Sequence, residues 1–147
     1  MHNIEILNKF LKEELSATET YQQALDKFKE DACDAESESL MPVYEDHKDA
    51  VSSLQALIIR LEGTPCEGSG TWGTWAKIVQ GGANILGKKA ALKALQAGEK
   101  SGAEEYEEAL EDTELSSDVR SLIETKLLSA QQAHIRTLDQ LLDTASE

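Results

Sequence analysis

Hydrophobic residues recur along the N-terminal part of the chain at alternating steps of three and four, the spacing that lines one face of an α-helix. This pattern predicts a first helix from about Asn3 to about Lys29, packed within a helical bundle. One position on the predicted core face is an acid, Glu14. The complete face consists of Ile4, Leu7, Leu11, Glu14, Thr18, Tyr21, Leu25 and Phe28.

A second stripe predicts a helix that begins between Ser37 and Leu40 and runs to Glu62, with Gly63 as its stop. Pro42 is tolerated in the first turn of a helix, whereas further inside it would kink the helix. A histidine interrupts this core face, which consists of Leu40, Tyr44, His47, Val51, Leu54, Ile58 and Leu61.

Two further helices are predicted in the C-terminal half of the chain. The third runs from about Lys88 to about Glu111, and the fourth begins after Ser116 or Ser117, either of which is a good N-cap, and runs to about Thr144. Polar residues interrupt both core faces. These faces consist of Leu92, Leu95, Glu99, Gly102, Tyr106 and Ala109 in the third helix, and of Leu127, Gln131, His134, Leu138 and Leu141 in the fourth.

The segment between the second and third helices, residues 63–87, is rich in glycine and too long for a hairpin turn. We interpret it as a crossover connection with one short helix near residues 74–80. Trp72 and Trp75 are predicted to pack onto the bundle, the alternative being that they line a ligand pocket. The fold class is therefore all-α, an antiparallel four-helix bundle in a single domain spanning residues 1–147.

Charge and composition restrict the possible partners. The net charge of −14 opposes binding to nucleic-acid backbones and to anionic membrane surfaces. No apolar run approaches the ~20 residues of a membrane span, and the N-terminus lacks the features of a secretory signal. Cys33 and Cys66 are expected at opposite ends of the second helix, too far apart for a disulfide. We therefore predict a cytoplasmic protein without nucleic-acid or membrane partners.

Each predicted helix carries an acid, an imidazole or an amide near the middle of its core face. One such residue is often a satisfied polar group, but several at similar depth indicate a common polar centre. Burying an unpaired carboxylate costs several kcal/mol, so the acids require mutual pairing with the histidines, protonation or a metal ion. The candidate residues are Glu14, His47, Glu99, Gln131 and His134.

The first and third helices are similar in sequence. ELSATETYQQALD, from Glu14, and EKSGAEEYEEALE, from Glu99, share Glu, Ser, Glu, Tyr, Ala and Leu at matching positions. This internal repeat predicts two helical hairpins joined by the crossover. Tyr21 and Tyr106 each follow by two turns, ~10 Å, so neither can reach the glutamate of its own helix. Packing with a hydrogen-bonded hydroxyl is expected, while donation to the carboxylates or a redox role beside a metal remain alternatives.

A hairpin, a crossover and a second hairpin with inward-facing carboxylates resemble the ferritin-like superfamily over almost the whole chain. The stretch LNKFLKEELSATETYQQAL is similar to the first helix of bacterioferritin-type proteins, and LEGTP is similar to their LEGxP. The two tryptophans, the short crossover and GEKSGAEEYEEAL most resemble an uncharacterised bacterial family of ferritin-like bundles, a domain of unknown function.

The resemblance implies a metal site that this chain retains only in part. Iron-binding members contribute one Glu from each of helices one and three, which Glu14 and Glu99 match, and Glu-x-x-His from helices two and four. Here His47 falls at the motif's Glu and Ala50 at its His. In the fourth helix, Gln131-x-x-His134 retains the histidine and replaces the acid.

Two carboxylates make a poor site for two irons, so ferroxidase, oxygenase and iron-storage activities are not expected. The remaining alternatives are a metal-free hydrogen-bonded cluster, a single Zn²⁺ or Fe²⁺, or a two-metal centre. We predict a ferritin-like bundle with a degenerate core site and no indicated enzymatic activity. The alternative is a mononuclear metal-binding protein that uses Glu14, His47, Glu99 and His134.

The second helix also carries apolar residues outside its core stripe. Leu57 and Ile59 lie on a different face from the stripe that ends at Leu61. Apolar side chains left outside a core stripe are one way in which bundles pair through helix faces. They suggest a homodimer that uses this surface.

Overall fold

The computed structural model describes residues 2–30, 32–67 and 85–145. All regular structure in these ranges is helical, which confirms the predicted all-helical class, whereas the predicted short helix near residues 74–80, with Trp72 and Trp75, lies outside them. The elements are α1 (His2–Glu30), α2 (Asp34–Arg60), α3 (Ile85–Leu110), α4 (Ser117–Leu122), a π-helix (Ile123–Leu127) and α5 (Leu128–Ala145).

The helices pack as two hairpins. α1 lies along α2, and α3 lies along α5, with short connections inside each hairpin. α4, the π-helix and α5 follow one another without a break and form a fourth helical rod, whose interruption was not predicted. The side chain of Ser116 accepts a hydrogen bond from the backbone N–H of Val119, which confirms Ser116 as the N-cap of this rod.

α2 begins earlier than its stripe predicts. Because the helix starts at Asp34, Pro42 lies inside it, beyond the first turn where a proline was expected. Proline has no N–H to donate to the carbonyl of Glu38, one turn earlier. Both Glu38 and Pro42 are exposed, so water can reach this carbonyl on the outer surface of the bundle.

The apolar core is divided into two clusters, one on each side of a layer of buried polar side chains. This polar layer consists of Glu14, His47, Glu99, Gln131 and His134. Aromatic and aliphatic side chains from all four rods fill both clusters, so each helix crosses from one cluster, through the polar layer, into the other. The first cluster contains Leu7, Phe10, Leu11, Ala50, Leu54, Leu57, Ile58, Tyr106, Leu115, Val119, Ile123 and Leu127. The second contains Tyr21, Ala24, Leu25, Phe28, Leu40, Val43, Ala91, Leu92, Leu95 and Leu138.

Both helices of the first hairpin end in a Schellman motif whose left-handed residue is not glycine. Ala32 has a φ of 61° and Glu62 a φ of 67°. At the end of α2, the N–H groups of Glu62 and Gly63 donate to the carbonyls of Ile59 and Ile58. The left-handed residue that ends α2 is therefore Glu62, one residue before the predicted stop at Gly63. Gly63 is required for a different reason, since a Cβ there would lie 2.8 Å from Cγ2 of Ile4.

Two predictions about surface and redox chemistry can be compared with the structure. No disulfide joins Cys33 and Cys66, which lie beyond opposite ends of α2 as predicted and pack against different core clusters. Leu57, in contrast, is buried in the core and is not available for pairing between chains, because α2 turns a broader face inward than its stripe indicates. Ile59 remains 63% exposed.

Hydropathy along the helices bears on membrane association. Among the described residues, none of the helices combines the length and apolar character needed to cross a bilayer.

The two strained caps predict that glycine is better than the native residue at both positions. L-residues in the left-handed region are strained by roughly 1–2 kcal/mol, and glycine avoids this strain at some entropic cost in the unfolded chain. We expect Ala32→Gly and Glu62→Gly each to raise the free energy of unfolding by about 0.5–1 kcal/mol, measured by urea denaturation.

Ala97→Gly provides the matched control, because Ala97 is exposed in the interior of α3. There the same kind of substitution should lower the free energy of unfolding by about 1 kcal/mol. A destabilising effect at Ala32 or Glu62 comparable to that at Ala97 would contradict the cap assignment.

Candidate metal centre

The polar layer contains all five residues that the sequence singles out. Each is buried, with Glu99 at 0% and His47 at 1% exposure. They come from all four rods, so the layer forms only when the two hairpins pack together. Its members are Glu14 from α1, His47 from α2, Glu99 from α3, and Gln131 and His134 from α5.

His47 lies between the two buried carboxylates. Its Nδ1 is 2.6 Å from Oε2 of Glu14, and its Nε2 is 2.6 Å from Oε1 of Glu99. An imidazole can donate from both nitrogens only when it is protonated. The three groups therefore form a carboxylate–imidazolium–carboxylate unit in which each charge has an opposite charge beside it.

The pKa values of His47 and Glu99 are displaced in directions that keep both groups ionised. Burial by itself lowers the pKa of His47, but the charges of Glu99 and Glu14, with hydrogen bonds to both, raise it well above its ordinary value of 6.5. Burial opposes ionisation of Glu99 as well, yet the charge of His47 and hydrogen bonds with His134 and His47 lower the pKa of Glu99. At neutral pH His47 is therefore protonated and Glu99 is ionised.

His134 continues the hydrogen-bonded chain towards the surface. Its Nδ1 lies 3.1 Å from Oε2 of Glu99, and its Nε2 lies 2.9 Å from Oδ2 of Asp46 on α2. The rings of His47 and His134 are 4.8 Å apart between centroids, with Glu99 contacting both. One buried carboxylate thus lies between two imidazoles, and each imidazole has a second carboxylate on its remote nitrogen.

The two tyrosines of the internal repeat surround the same centre. The hydroxyl of Tyr106 donates to Oε1 of Glu14 at 2.5 Å, so a tyrosine of α3 reaches the glutamate of α1. Burial, followed by the charge of Glu14, raises the pKa of Tyr106 well above 10 and keeps the donor proton in place. Tyr21 stacks on His47 at 5.2 Å between ring centroids. The sequence left open whether the tyrosines donate to the carboxylates, and Tyr106 does so.

Gln131 interacts with the backbone of α3. Its Nε2 donates to the carbonyl of Glu99 at 3.3 Å. Gly102, one turn further along α3, makes this approach possible, because a Cβ there would collide with the Gln131 amide. A glutamate at position 131 would direct a carboxylate towards that carbonyl and could not donate. An amide can therefore make the hydrogen bond at this position, whereas an ionised carboxylate cannot.

Three of the polar residues present ligand atoms close enough together to hold one metal ion. His47, Glu99 and His134 each offer an atom within 4.8 Å of the others. Ligands of a tetrahedral zinc ion are about 3.3 Å apart, so the 2.6 Å contact between His47 and Glu99 would have to widen and lose its proton. Glu14 and Asp46 contact the remote nitrogens of the two histidines, the arrangement that orients histidine ligands in metal sites.

A cavity of about 80 Å³ adjoins this group between α2 and the fourth rod. A water molecule takes about 30 Å³ of liquid, so the cavity has room for two or three. Ala50, which the resemblance to ferritin-like proteins aligned with a motif histidine, forms part of its wall. The lining residues are Glu14, Asp46, His47, Asp49, Ala50, Lys126, Leu127, Ala130, Gln131 and His134.

A second group of potential ligands lies on the surface. His2, Asp112 and Glu114 present donor atoms close together, and Nε2 of His2 contacts Oδ2 of Asp112. His2 is exposed and Asp112 is only partly buried, so water can reach this group. This group lacks the enclosure and the supporting carboxylates of the polar layer.

Sequence reasoning missed Asp46 and Lys126. Both are partly exposed and lie off the core stripes, so a search along those stripes passes over them. Asp46 precedes His47 directly, and an acid beside a buried histidine could have suggested a partner for an imidazole. Lys126 lies in the π-helix, and no pattern in the sequence predicted that interruption.

Comparison with known proteins identifies a family but no activity. A family model described as "Domain of unknown function (DUF2383)" matches residues 2–112, and the chain belongs to this family. The matched region contains Glu14, His47 and Glu99 and ends before the fourth rod, which carries Gln131 and His134. No curated protein and no solved structure gave a significant match.

The close approach of Gln131 to Gly102 predicts that Gly102→Ala is destabilising. Alanine is the better helix former by about 1 kcal/mol, but its methyl group would collide with the Gln131 amide. We expect the free energy of unfolding to fall by about 1–3 kcal/mol in urea denaturation. Combining Gly102→Ala with Gln131→Ala should cost less than the sum of the single changes, and strict additivity would contradict the contact.

The displaced pKa values predict a stability maximum at mildly acidic pH in the metal-free protein. Above about pH 6.5 the unfolded chain releases the His47 proton while the folded chain keeps it. The free energy of unfolding should then fall by up to about 1.4 kcal/mol per pH unit. Below about pH 4.5 the unfolded chain protonates Glu99 while the folded chain keeps it ionised, so stability falls again. Urea denaturation in EDTA from pH 3.5 to 9 measures both effects.

Glu13 also lowers the free energy of unfolding as the pH rises, independently of His47. Burial, with a hydrogen bond to Glu105 and the charge of Glu105, raises the pKa of Glu13 to about 8, so stability is lost between its unfolded value and that pH. Glu13→Gln should remove this part and leave the decline above pH 6.5. A flat profile between pH 6.5 and 9 in Glu13→Gln would show that folding does not retain the His47 proton.

Proposed function

We propose that this DUF2383 member is a ferritin-like four-helix bundle whose interior site binds one divalent transition-metal ion and has no ferroxidase activity. The observation that supports it most strongly is the convergence of His47, Glu99 and His134 from three different rods, with a carboxylate on the remote nitrogen of each histidine. Two imidazoles and one carboxylate are ligands that Zn²⁺ and Fe²⁺ both accept.

The proposal gives roles to four residues of the polar layer and to Asp46 beside it. Nε2 of His47, Nδ1 of His134 and the carboxylate of Glu99 are the candidate ligand atoms, because they face one another. Glu14 and Asp46 hold the opposite ring nitrogens and so fix the orientation of both rings. A bound ion would supply Lewis acidity at this position.

Several features argue against a pair of iron ions. A two-iron centre needs bridging carboxylates to hold the ions and balance their charge, and only Glu14 and Glu99 are buried in the layer as acids. The side chain at position 50 is a methyl group, and Gln131 is held by the backbone of α3. The space that further ligands would fill is part of the cavity.

A metal-free polar core is the second candidate, and one observation favours it. Both nitrogens of His47 already contact carboxylate oxygens at 2.6 Å, so the two buried acids are compensated by protons alone. In that case the protein is a non-catalytic bundle that keeps the fold with an altered centre. Both candidates have the same hydrogen bonds in the metal-free protein, and they differ in whether an added metal ion displaces the protons.

Equilibrium binding of Zn²⁺ and Co²⁺ to chelator-treated protein distinguishes the two candidates. We expect one ion per chain, and a rise in melting temperature of roughly 5–10 °C when the free ion is at a hundred times its dissociation constant. A metal-free core would show no saturable binding and no shift in melting temperature.

Variants then locate the binding site. Glu99→Gln should weaken binding at least about 100-fold because it removes a ligand charge, while Glu14→Gln should weaken it about 10- to 100-fold by releasing one face of His47. Glu13→Gln is the matched control, since Glu13 adjoins Glu14 in sequence but its carboxylate faces Glu105. Equal affinity of Glu99→Gln and wild type would place the metal elsewhere.

Dioxygen consumption tests the absence of ferroxidase activity. With Fe²⁺ added in excess, the protein should consume dioxygen no faster than buffer does, because the second iron position lacks its ligands. Consumption that rises with protein concentration and is lost in Glu99→Gln would contradict a mononuclear centre without this activity.

A further inference from the structure

The cavity beside the centre lies between exposed charged side chains and the buried candidate ligands. Its inner wall includes His47 and His134, and its outer wall includes Asp46, Asp49 and Lys126, all of which are partly exposed. The two apolar clusters lie on either side of the polar layer along the bundle axis. Within the described residues, an ion that moved along that axis would have to cross apolar side chains.

The ammonium group of Lys126 lies across the outer part of this cavity. Its Nζ is 2.8 Å from Oδ2 of Asp49 and donates to Oγ of Ser53 at 2.8 Å. Lys126 belongs to the π-helix, whereas Asp49 and Ser53 belong to α2. The lysine therefore connects the two rods between which the cavity opens.

The charges at the opening attract cations, and the contact that spans it is weak. Asp46 and Asp49 are carboxylates at the outer wall of a chain with a net charge of −14, which favours the approach of divalent cations. Lys126 is 40% exposed, and ion pairs that face water contribute little to stability. An arriving cation can therefore replace the lysine beside Asp49 at low cost.

We infer that divalent metal ions reach the centre through this cavity, and that the Lys126–Asp49 ion pair acts as a latch on the opening. The inference rests on the proposed metal-binding function and concerns the route rather than the site. Asp49 binds Lys126 when the latch is closed and faces the incoming ion when it is open. Asp46 lies between the opening and His134, whose Nε2 it contacts.

A latch and a simple charge effect make different kinetic predictions. Removing a latch lowers the same barrier for entrance and exit, so association and dissociation both become faster and the dissociation constant is unchanged. Removing only a repulsive positive charge speeds association and slows dissociation, because the bound ion is also stabilised. Measuring both rates separates the two effects.

The experiment compares wild type with Lys126→Met, which keeps an unbranched side chain and removes the charge. Chelator-treated protein is mixed with Co²⁺ in a stopped-flow instrument, and loading is followed by the visible absorption of the bound ion. Release is measured with excess EDTA, at concentrations where the rate no longer depends on EDTA. We expect both rates to rise about three- to fivefold, so that association and dissociation change in the same direction.

Lys48→Met is the matched control. Lys48 lies on α2, is 50% exposed on its side chain and pairs with Glu45 at 3.8 Å, away from the cavity lining. It makes the same change in net charge, so its rates should remain close to those of wild type.

Each other outcome has a defined meaning. Co²⁺ that binds at equilibrium with unchanged rates in Lys126→Met would overturn the route alone. Faster association with slower dissociation would also overturn the latch, because it reports only charge. If wild type binds no Co²⁺, the proposed metal-binding function fails and the route fails with it.

Discussion

The protonated ring of His47 between Glu14 and Glu99 is the interaction on which the rest of the structure depends. Two carboxylates in the middle of a helical bundle would each cost several kcal/mol if they were left unpaired. One imidazolium places a positive charge beside both, because its nitrogens point in opposite directions and each lies 2.6 Å from a carboxylate oxygen. This contact joins α1, α2 and α3 and therefore fixes how the two hairpins face each other. Removing the ring would leave two buried acids without a shared counter-charge.

The surrounding residues can be understood as the consequences of that unit. Glu14 uses its second oxygen to accept from Tyr106, and Glu99 uses its carboxylate for His134 and its backbone carbonyl for Gln131. The apolar clusters on either side keep water away from the bundle axis, which strengthens these contacts. Between α2 and the fourth rod the layer borders a cavity whose walls carry both polar and apolar side chains.

In the proposed metal centre, protons and a metal ion would compete for one position. The atoms that share protons in the metal-free centre, Nε2 of His47 and the carboxylate of Glu99, are the atoms that would coordinate an ion. The carboxylates on the remote nitrogens orient the rings in either state. Hydrogen bonds from His47, Tyr106 and His134 serve the buried acids while no ion is bound, and the proposed route for an ion is the cavity between the two rods.

The sequence alone determined the four amphipathic rods, the polar layer and its five members, because helical periodicity fixes which side chains face inward and how deep they lie. It also predicted that neither tyrosine would contact the glutamate of its own helix. It could not determine which polar atoms meet, since those contacts form between residues distant in sequence: Tyr106 with Glu14, His134 with Asp46, and Lys126 with Asp49. Nor did it predict the π-helix or the left-handed residues Ala32 and Glu62, because tertiary packing overrides local preference at these positions. Periodicity specifies a face of each helix, whereas only the packing of the hairpins specifies the partner across it.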